Sequence, residues 1–206
     1  MIRNFTTTFI LCSLLALSTV SLGQTEKGNL LLGGGIDLGS TTYKRDIIND
    51  QKVFSLNINP GLSYLVTDNF ALGINLPISI SNQSQDDFAD RKSQSIAVGP
   101  KLRYYIPFNQ WAIFPEVSFA LGGGEIETPN FNGGIGGVST ITTKYSTSDF
   151  KVGVGITYLI SHSIGIESTL SYNIINTEYD VESFIDLETS SIAFNTGFQI
   201  YFQTKK

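Results

Sequence analysis

Asp37, Lys101, Arg103, Glu116, Lys151 and Glu167 stand inside stretches that otherwise alternate bulky apolar with small polar side chains. Both signs are present, and Lys101 and Arg103 lie one hairpin away from Glu116. Charges withdrawn from water must be paired or they cost several kcal/mol each, so residues of this kind form either a self-satisfying ionic plug or a path for protons or ions. The plug is the expected reading, because a narrow interior leaves little room for a path. If residues 107–110 close the hairpin, Ile106 faces Trp111 and Lys101 faces Glu116, with Arg103 and Glu167 beside them.

Other residues that could do chemistry are few. The single His, His162, falls in a short turn at 161–163, and without it no Ser-His-acid set can be built. One Cys and one His exclude an internal disulfide and a multi-His or multi-Cys metal site. The acidic groups Asp86, Asp87, Asp90 and Asp180, Glu182, Asp186, Glu188 have no Ca²⁺-loop spacing and read as solvated loop charge. Gly33-Gly34-Gly35 and Gly122-Gly123-Gly124 are followed by no helical pattern, so they are not phosphate loops; they read as places where backbones or interior side chains crowd. No cofactor and no enzymatic activity are expected. The net charge of -5 gives no reason to invoke nucleic acid.

These charges must be positioned by strands. Charged residues make up 15% of the 206-residue chain, against about 25% in soluble domains, while 20 Gly and 12% aromatics are high. Residues 1–23 read as a cleaved export signal: Arg3 begins it, an apolar run spans 9–20, and Ser21-Leu22-Gly23 is a small-x-small cleavage site. Cys12 lies within that run. The domain expected to remain is 24–206. Eight period-2 segments follow, at 29–41, 53–66, 70–81, 94–106, 111–123, 148–160, 164–175 and 191–202. Their connections alternate long and short. On the bulky apolar parity of all eight there is no Asp, Glu, Lys or Arg; each of the six charges named above falls on the other parity.

The last segment carries Asn195-x-Gly197-x-x-Ile200-x-Phe202, a polar residue, a Gly and two spaced apolar residues close to the C-terminus. This resembles the C-terminal insertion signal of the small outer-membrane β-barrel family of Gram-negative bacteria, although four residues follow the aromatic here. The resemblance implies an all-β fold: a closed antiparallel up-and-down transmembrane β-barrel of eight strands, with short periplasmic turns and long extracellular loops. It also implies the bacterial outer membrane as location, lipid, lipopolysaccharide and the assembly machinery as partners, and a monomer. Members are mostly non-catalytic and act through surface loops, here 124–147 and 176–189. A narrow pore for small solutes or ions is the alternative. Some members modify lipid A with His and Ser at the outer leaflet, and His162 is in the wrong turn for that.

A soluble lipocalin-like binding barrel would alternate equally well, with its apolar face inward. Three features favour the inverted arrangement. The polar face is mostly Gly, Ser, Asn and Ala, too sparsely charged for a water-facing surface. Small residues suit the cramped interior of eight strands. Aromatics gather near the short turns, at Tyr64, Phe70, Tyr104, Phe108, Trp111, Tyr158, Tyr201 and Phe202, as an interfacial girdle would. Segments of about ten residues at roughly 3.3 Å, tilted about 40°, cross an apolar layer of about 25 Å. Pro60, Pro77, Pro100 and Pro115 run against this pattern, since each removes a ladder donor where a closed barrel has no edge. Bulges or strand ends are expected there.

Overall fold

The computed structural model describes residues 23–43, 51–85, 88–131, 138–180 and 186–203. Residues 1–22 of the expected export signal at 1–23 therefore lie outside the described residues, as do Asp86, Asp87, Glu182 and most of the first predicted loop. Gly23–Thr25 is a 3₁₀ turn. Ten strand segments follow: β1 (Leu30–Tyr43), β2 (Gln51–Thr67), β3 (Phe70–Asn75), β4 (Ile78–Gln85), β5 (Phe88–Tyr104), β6 (Ile106–Phe108), β7 (Trp111–Phe131), β8 (Val138–Ser161), β9 (Ile164–Tyr179) and β10 (Leu187–Phe202). All pairings are antiparallel. β3 and β4 both lie between β2 and β5, so they are two halves of one stave; β6 continues β5. The ten segments thus make eight staves. β10 returns to β1, from Leu30↔Phe202 to Ile36↔Thr196, and closes the ring.

The prolines explain the broken stave. Pro77 separates β3 from β4. Pro60 stands opposite that break, because β2 pairs with β4 up to Ile58 and with β3 from Gly61. Pro100 lies one stave further, where the β5–β7 ladder skips from Val98↔Leu121 to Lys101↔Ser118. Three prolines therefore share one band of interrupted pairing, and the missing donors coincide with gaps in the ladder. Backbone groups beside the break find other partners: Leu76 N–H donates to Pro60 O at 2.9 Å and Ala97 N–H to Pro77 O at 2.9 Å. Pro115 faces the point where β5 gives way to β6.

Two expected loops are mostly strand, and a third is strand over half its length. Pairing between β4 and β5 covers most of 82–93. β7 and β8 stay paired from Trp111↔Tyr158 to Phe131↔Val138, which takes up most of 124–147. β9 and β10 pair out to Thr177↔Leu187. The polar content of these stretches conceals their β-branched residues, as in Val138-Ser-Thr-Ile-Thr-Thr, which suit a pleated ladder. Once a hairpin is in register its ladder continues past the point where the apolar alternation stops.

The short turns hold the other end. Asn69 and Asn109 occupy left-handed backbone, at φ 66° and 58°, a conformation Asn tolerates better than most residues. The third turn is 162–163. The chain entering β1 packs against the first turn: Asn69 N–H donates to Thr25 O at 2.7 Å, Thr25 Oγ1 to Asn69 Oδ1 at 2.6 Å, and Lys27 N–H to Asp68 Oδ1 at 2.7 Å. Gln24, Thr25 and Asn29 are buried there.

Apolar residues point outward. Leu72, Ile156 and Phe198 are exposed, Leu72 to 40%, whereas Asn75 at 3% and Glu167 at 8% are enclosed. A soluble barrel with an apolar lumen would show the reverse, so the lipocalin-like alternative is excluded.

Candidate functional site

The lumen is built in three layers, and strand parity puts each residue there. At the short-turn end Leu31, Leu65, Ala71, Tyr105, Ala112, Phe114, Leu159 and Tyr201 pack into an apolar cluster. The sequence reading missed this cluster, because it summarised the inner face as small and polar. A signal existed: Leu65, Tyr105 and Leu159 each sit at inner parity within a few residues before a short turn. Tyr201 belongs here, at 2% exposure, and not to the aromatic girdle. The other girdle aromatics Tyr64, Tyr104, Phe108, Trp111, Tyr158 and Phe202 are outward and exposed. Trp111 and Tyr158 are cross-strand partners with ring centroids 4.5 Å apart.

Above the apolar cluster lies the ionic layer. Arg103 is its hub. Its Nη2 is 2.7 Å from Glu116 Oε2, and its Nη1 is 2.8 Å from Glu167 Oε2 and 2.9 Å from Tyr105 Oη. Lys151 Nζ completes the chain, 3.0 Å from Glu116 Oε1. The Arg103 guanidinium also lies 3.9 Å from the centre of the Phe114 ring, so it caps the apolar cluster with its face while its edges hold two carboxylates. Lys101 is buried in the same layer. Small partners make room: Glu167 faces Gly197 and Glu116 faces Gly153.

The expected pairing of Lys101 with Glu116 is wrong by two residues. Arg103 faces Glu116, and Lys101 faces Ser118. Pro107 and Phe108 belong to β6, and the turn is only Asn109-Gln110, with Phe108 facing Trp111. A four-residue loop was assumed where a two-residue one forms, and shortening a hairpin loop by two slides every facing pair by two.

Toward the long-loop end the lumen opens into a cavity of about 290 Å³. Asp37 is here, with Lys151 at the border toward the ionic layer, and so is Asp149, which falls at inner parity within the predicted 148–160 segment. Asn57, Asn59, Asn75 and Asn195 complete much of the wall. His162 is exposed in the β8–β9 turn, at the opposite end. Among the described residues no three His, Cys, Asp or Glu side chains gather as metal ligands would.

The C-terminal residues Asn195, Gly197, Ile200 and Phe202 all lie on β10, the closing stave. Gly197 faces Gly35 across the seam, and a Cβ on it would strike the carbonyl oxygen of Gly34. The Gly triplets are likewise crowded except at Gly35: a Cβ on Gly33 would meet Phe198 O, and one on Gly124 would meet Gln94 O.

A closed ring of antiparallel staves with an apolar outer face pairs its backbone groups between strands, and this is the form in which β-structure spans a membrane. The sequence matches the outer membrane protein beta-barrel domain over residues 9–201, and the chain belongs to that family. It is an integral outer-membrane protein built on a ring of eight antiparallel staves. No curated protein matches it significantly. Among solved structures it is similar to the outer membrane protein OprG from Pseudomonas aeruginosa, at 12% identity over 88% of this chain and 99% of that chain, with a TM-score of 0.50. It is also similar to Neisserial surface protein A, at 12% identity over 85% and 98% with a TM-score of 0.47. The attachment invasion locus protein Ail of Yersinia pestis matches at 12% identity over 85% and 99%, with a TM-score of 0.39. At such identities the likeness concerns the fold alone.

Proposed function

We propose that this chain is a non-catalytic, structural barrel that acts at its outer rim, through surface interaction or adhesion, and not as a through-pore. The observation that carries this reading is the lumen floor: bulky apolar side chains buried at the periplasmic end, sealed by an Arg103 that is held on three sides. The rim is the complementary feature. β7 and β8 are 21 and 24 residues long, about twice what the apolar layer requires, so their shared hairpin projects beyond the membrane. The absence of an acid or base partner for His162 at the outer leaflet, given its place in a periplasmic turn, supports the non-enzymatic reading.

The remaining parts of the reading follow from it. Residues 1–23 are removed on export and Gln24 begins the mature domain. Asn195, Gly197, Ile200 and Phe202 present the insertion signal to the assembly machinery. The girdle and the outer leaflet meet lipid and lipopolysaccharide, and the barrel works as a monomer without a cofactor.

Planar-bilayer recording tests the closed floor: no conductance steps above leak are expected, and reproducible steps would make the narrow pore the correct reading. Adherence of expressing cells to protein-coated surfaces tests the rim. A variant with residues 128–141 replaced by a short Gly-Ser turn should lose that adherence while keeping its heat-modifiable gel migration. Unchanged adherence would reject the rim as the acting part.

A further inference from the structure

The outer cavity of the lumen has more hydrogen-bond acceptors than its own walls satisfy. Asn59 Oδ1, Asn75 Oδ1 and Asp149 Oδ1 are each buried without a partner within the protein, and all three residues line the same space. Asn75 itself is only 3% exposed. A buried acceptor without a donor costs about 1–3 kcal/mol, so three in one cavity point to something that donates to them. Two carboxylates, Asp37 and Asp149, lie on the wall as well. Among the described residues the one cation bordering the cavity, Lys151, already reaches down to Glu116 at 3.0 Å. The lining is therefore rich in acceptors and net negative, and its floor is closed.

We propose that this cavity is a binding site for a small molecule carrying a primary ammonium group, entering from the extracellular side. An ammonium offers three N–H donors and no acceptor, the complement of such a wall, and its charge matches the two carboxylates. A neutral polyol has to bring acceptors as well as donors, and an anion meets Asp37 and Asp149 with like charge. Water is the rival occupant, since 290 Å³ holds roughly ten molecules at about 30 Å³ each. Hydration satisfies the orphaned oxygens but leaves the two carboxylates facing one lysine that is already bonded to Glu116. The inference stands whether or not the rim binds a surface, because it concerns the lumen only.

The test is calorimetric titration of the full-length mature barrel in nanodiscs with 1,4-diaminobutane, against 1,4-butanediol and succinate as neutral and anionic partners of similar length. Saturable binding of the diamine is expected, with the diol and succinate at least roughly tenfold weaker. Asp149→Asn and Asp37→Asn keep the shape of the wall and remove one charge each; either should weaken the diamine by roughly tenfold while gel migration stays that of the folded barrel. Asn75→Asp, which adds a charge beside the orphaned acceptor, should tighten it. Equal binding of diol and diamine, or no saturable binding to a barrel that migrates as folded, would overturn the proposal and leave the cavity to water. Surface adherence is read in a separate assay, so failure of this proposal is separable from failure of the rim.

Discussion

Arg103 and Glu116 face each other across β5 and β7, and two guanidinium nitrogens, Nε at 3.2 Å and Nη2 at 2.7 Å, converge on the same carboxylate oxygen. The other oxygen of Glu116 is taken by Lys151. One carboxylate thus bridges two cations between an apolar floor and a polar cavity. Glu116→Ala should therefore be costly, because it leaves Lys151 without this partner and Arg103 with Glu167 as its remaining carboxylate. Breaking such a pair from one side costs about 3–5 kcal/mol. Denaturant unfolding in detergent should show that loss. Replacing Arg103 and Glu116 together with Met should cost less than the two single changes added, and strict additivity would mean the pair is not coupled.

Gly197 and Gly35 face each other at the closing seam, yet only one of them is sterically required. A Cβ on Gly197 meets the Gly34 carbonyl, whereas one on Gly35 finds Asn195 Cβ at 3.5 Å and Thr196 O at 3.6 Å, ordinary contact. Gly197→Ala should destabilise closure by about 1–3 kcal/mol, and Gly35→Ala should be near neutral. Heat-modifiable migration across a denaturant series reads both. Equal behaviour of the two would refute the crowding argument.

The two left-handed asparagines should also separate. Asn109 lies in a two-residue hairpin turn, so Asn109→Gly should change stability by no more than about 0.5 kcal/mol, while Asn109→Val should cost about 1–2 kcal/mol for forcing a β-branched residue into that backbone. Asn69 additionally accepts from Thr25 Oγ1 through its side chain. Asn69→Gly should be worse than Asn109→Gly by about the value of one hydrogen bond, roughly 1 kcal/mol, measured as the shift in unfolding midpoint.

Lipid contact predicts an asymmetry between the faces of one strand. Val154 is exposed near mid-height of the outward apolar row on β8, and Thr157 on the inner face is fully enclosed. Val154→Arg should cost about 2–4 kcal/mol in bilayer-refolded protein, and Val154→Leu should be tolerated. An arginine there that cost nothing would place β8 outside the hydrocarbon layer.

The sequence alone determined sidedness. A period of two, kept charge-free on one parity through eight segments, allows one placement of the greasy face once the chain is known to span lipid, since a register slip by one residue would put Lys101, Arg103 and Glu116 into hydrocarbon. It also located the short turns and marked the charges as interior. It did not determine which charges meet. That depended on a turn of two residues and not four at 109–110, a difference with no trace in the alternation, because a shift by two preserves parity while changing every partner. Strand ends were hidden for a related reason: outside the membrane both faces of a hairpin are wet, so pairing continues without an apolar pattern to announce it. The stacking of an apolar floor, an ionic layer and an acceptor-lined cavity was decided only by the closed ring. It brings residues from β1, β2, β5, β7, β8, β9 and β10 to one axis, and no local signal along the chain encodes the height at which distant strands stand beside one another.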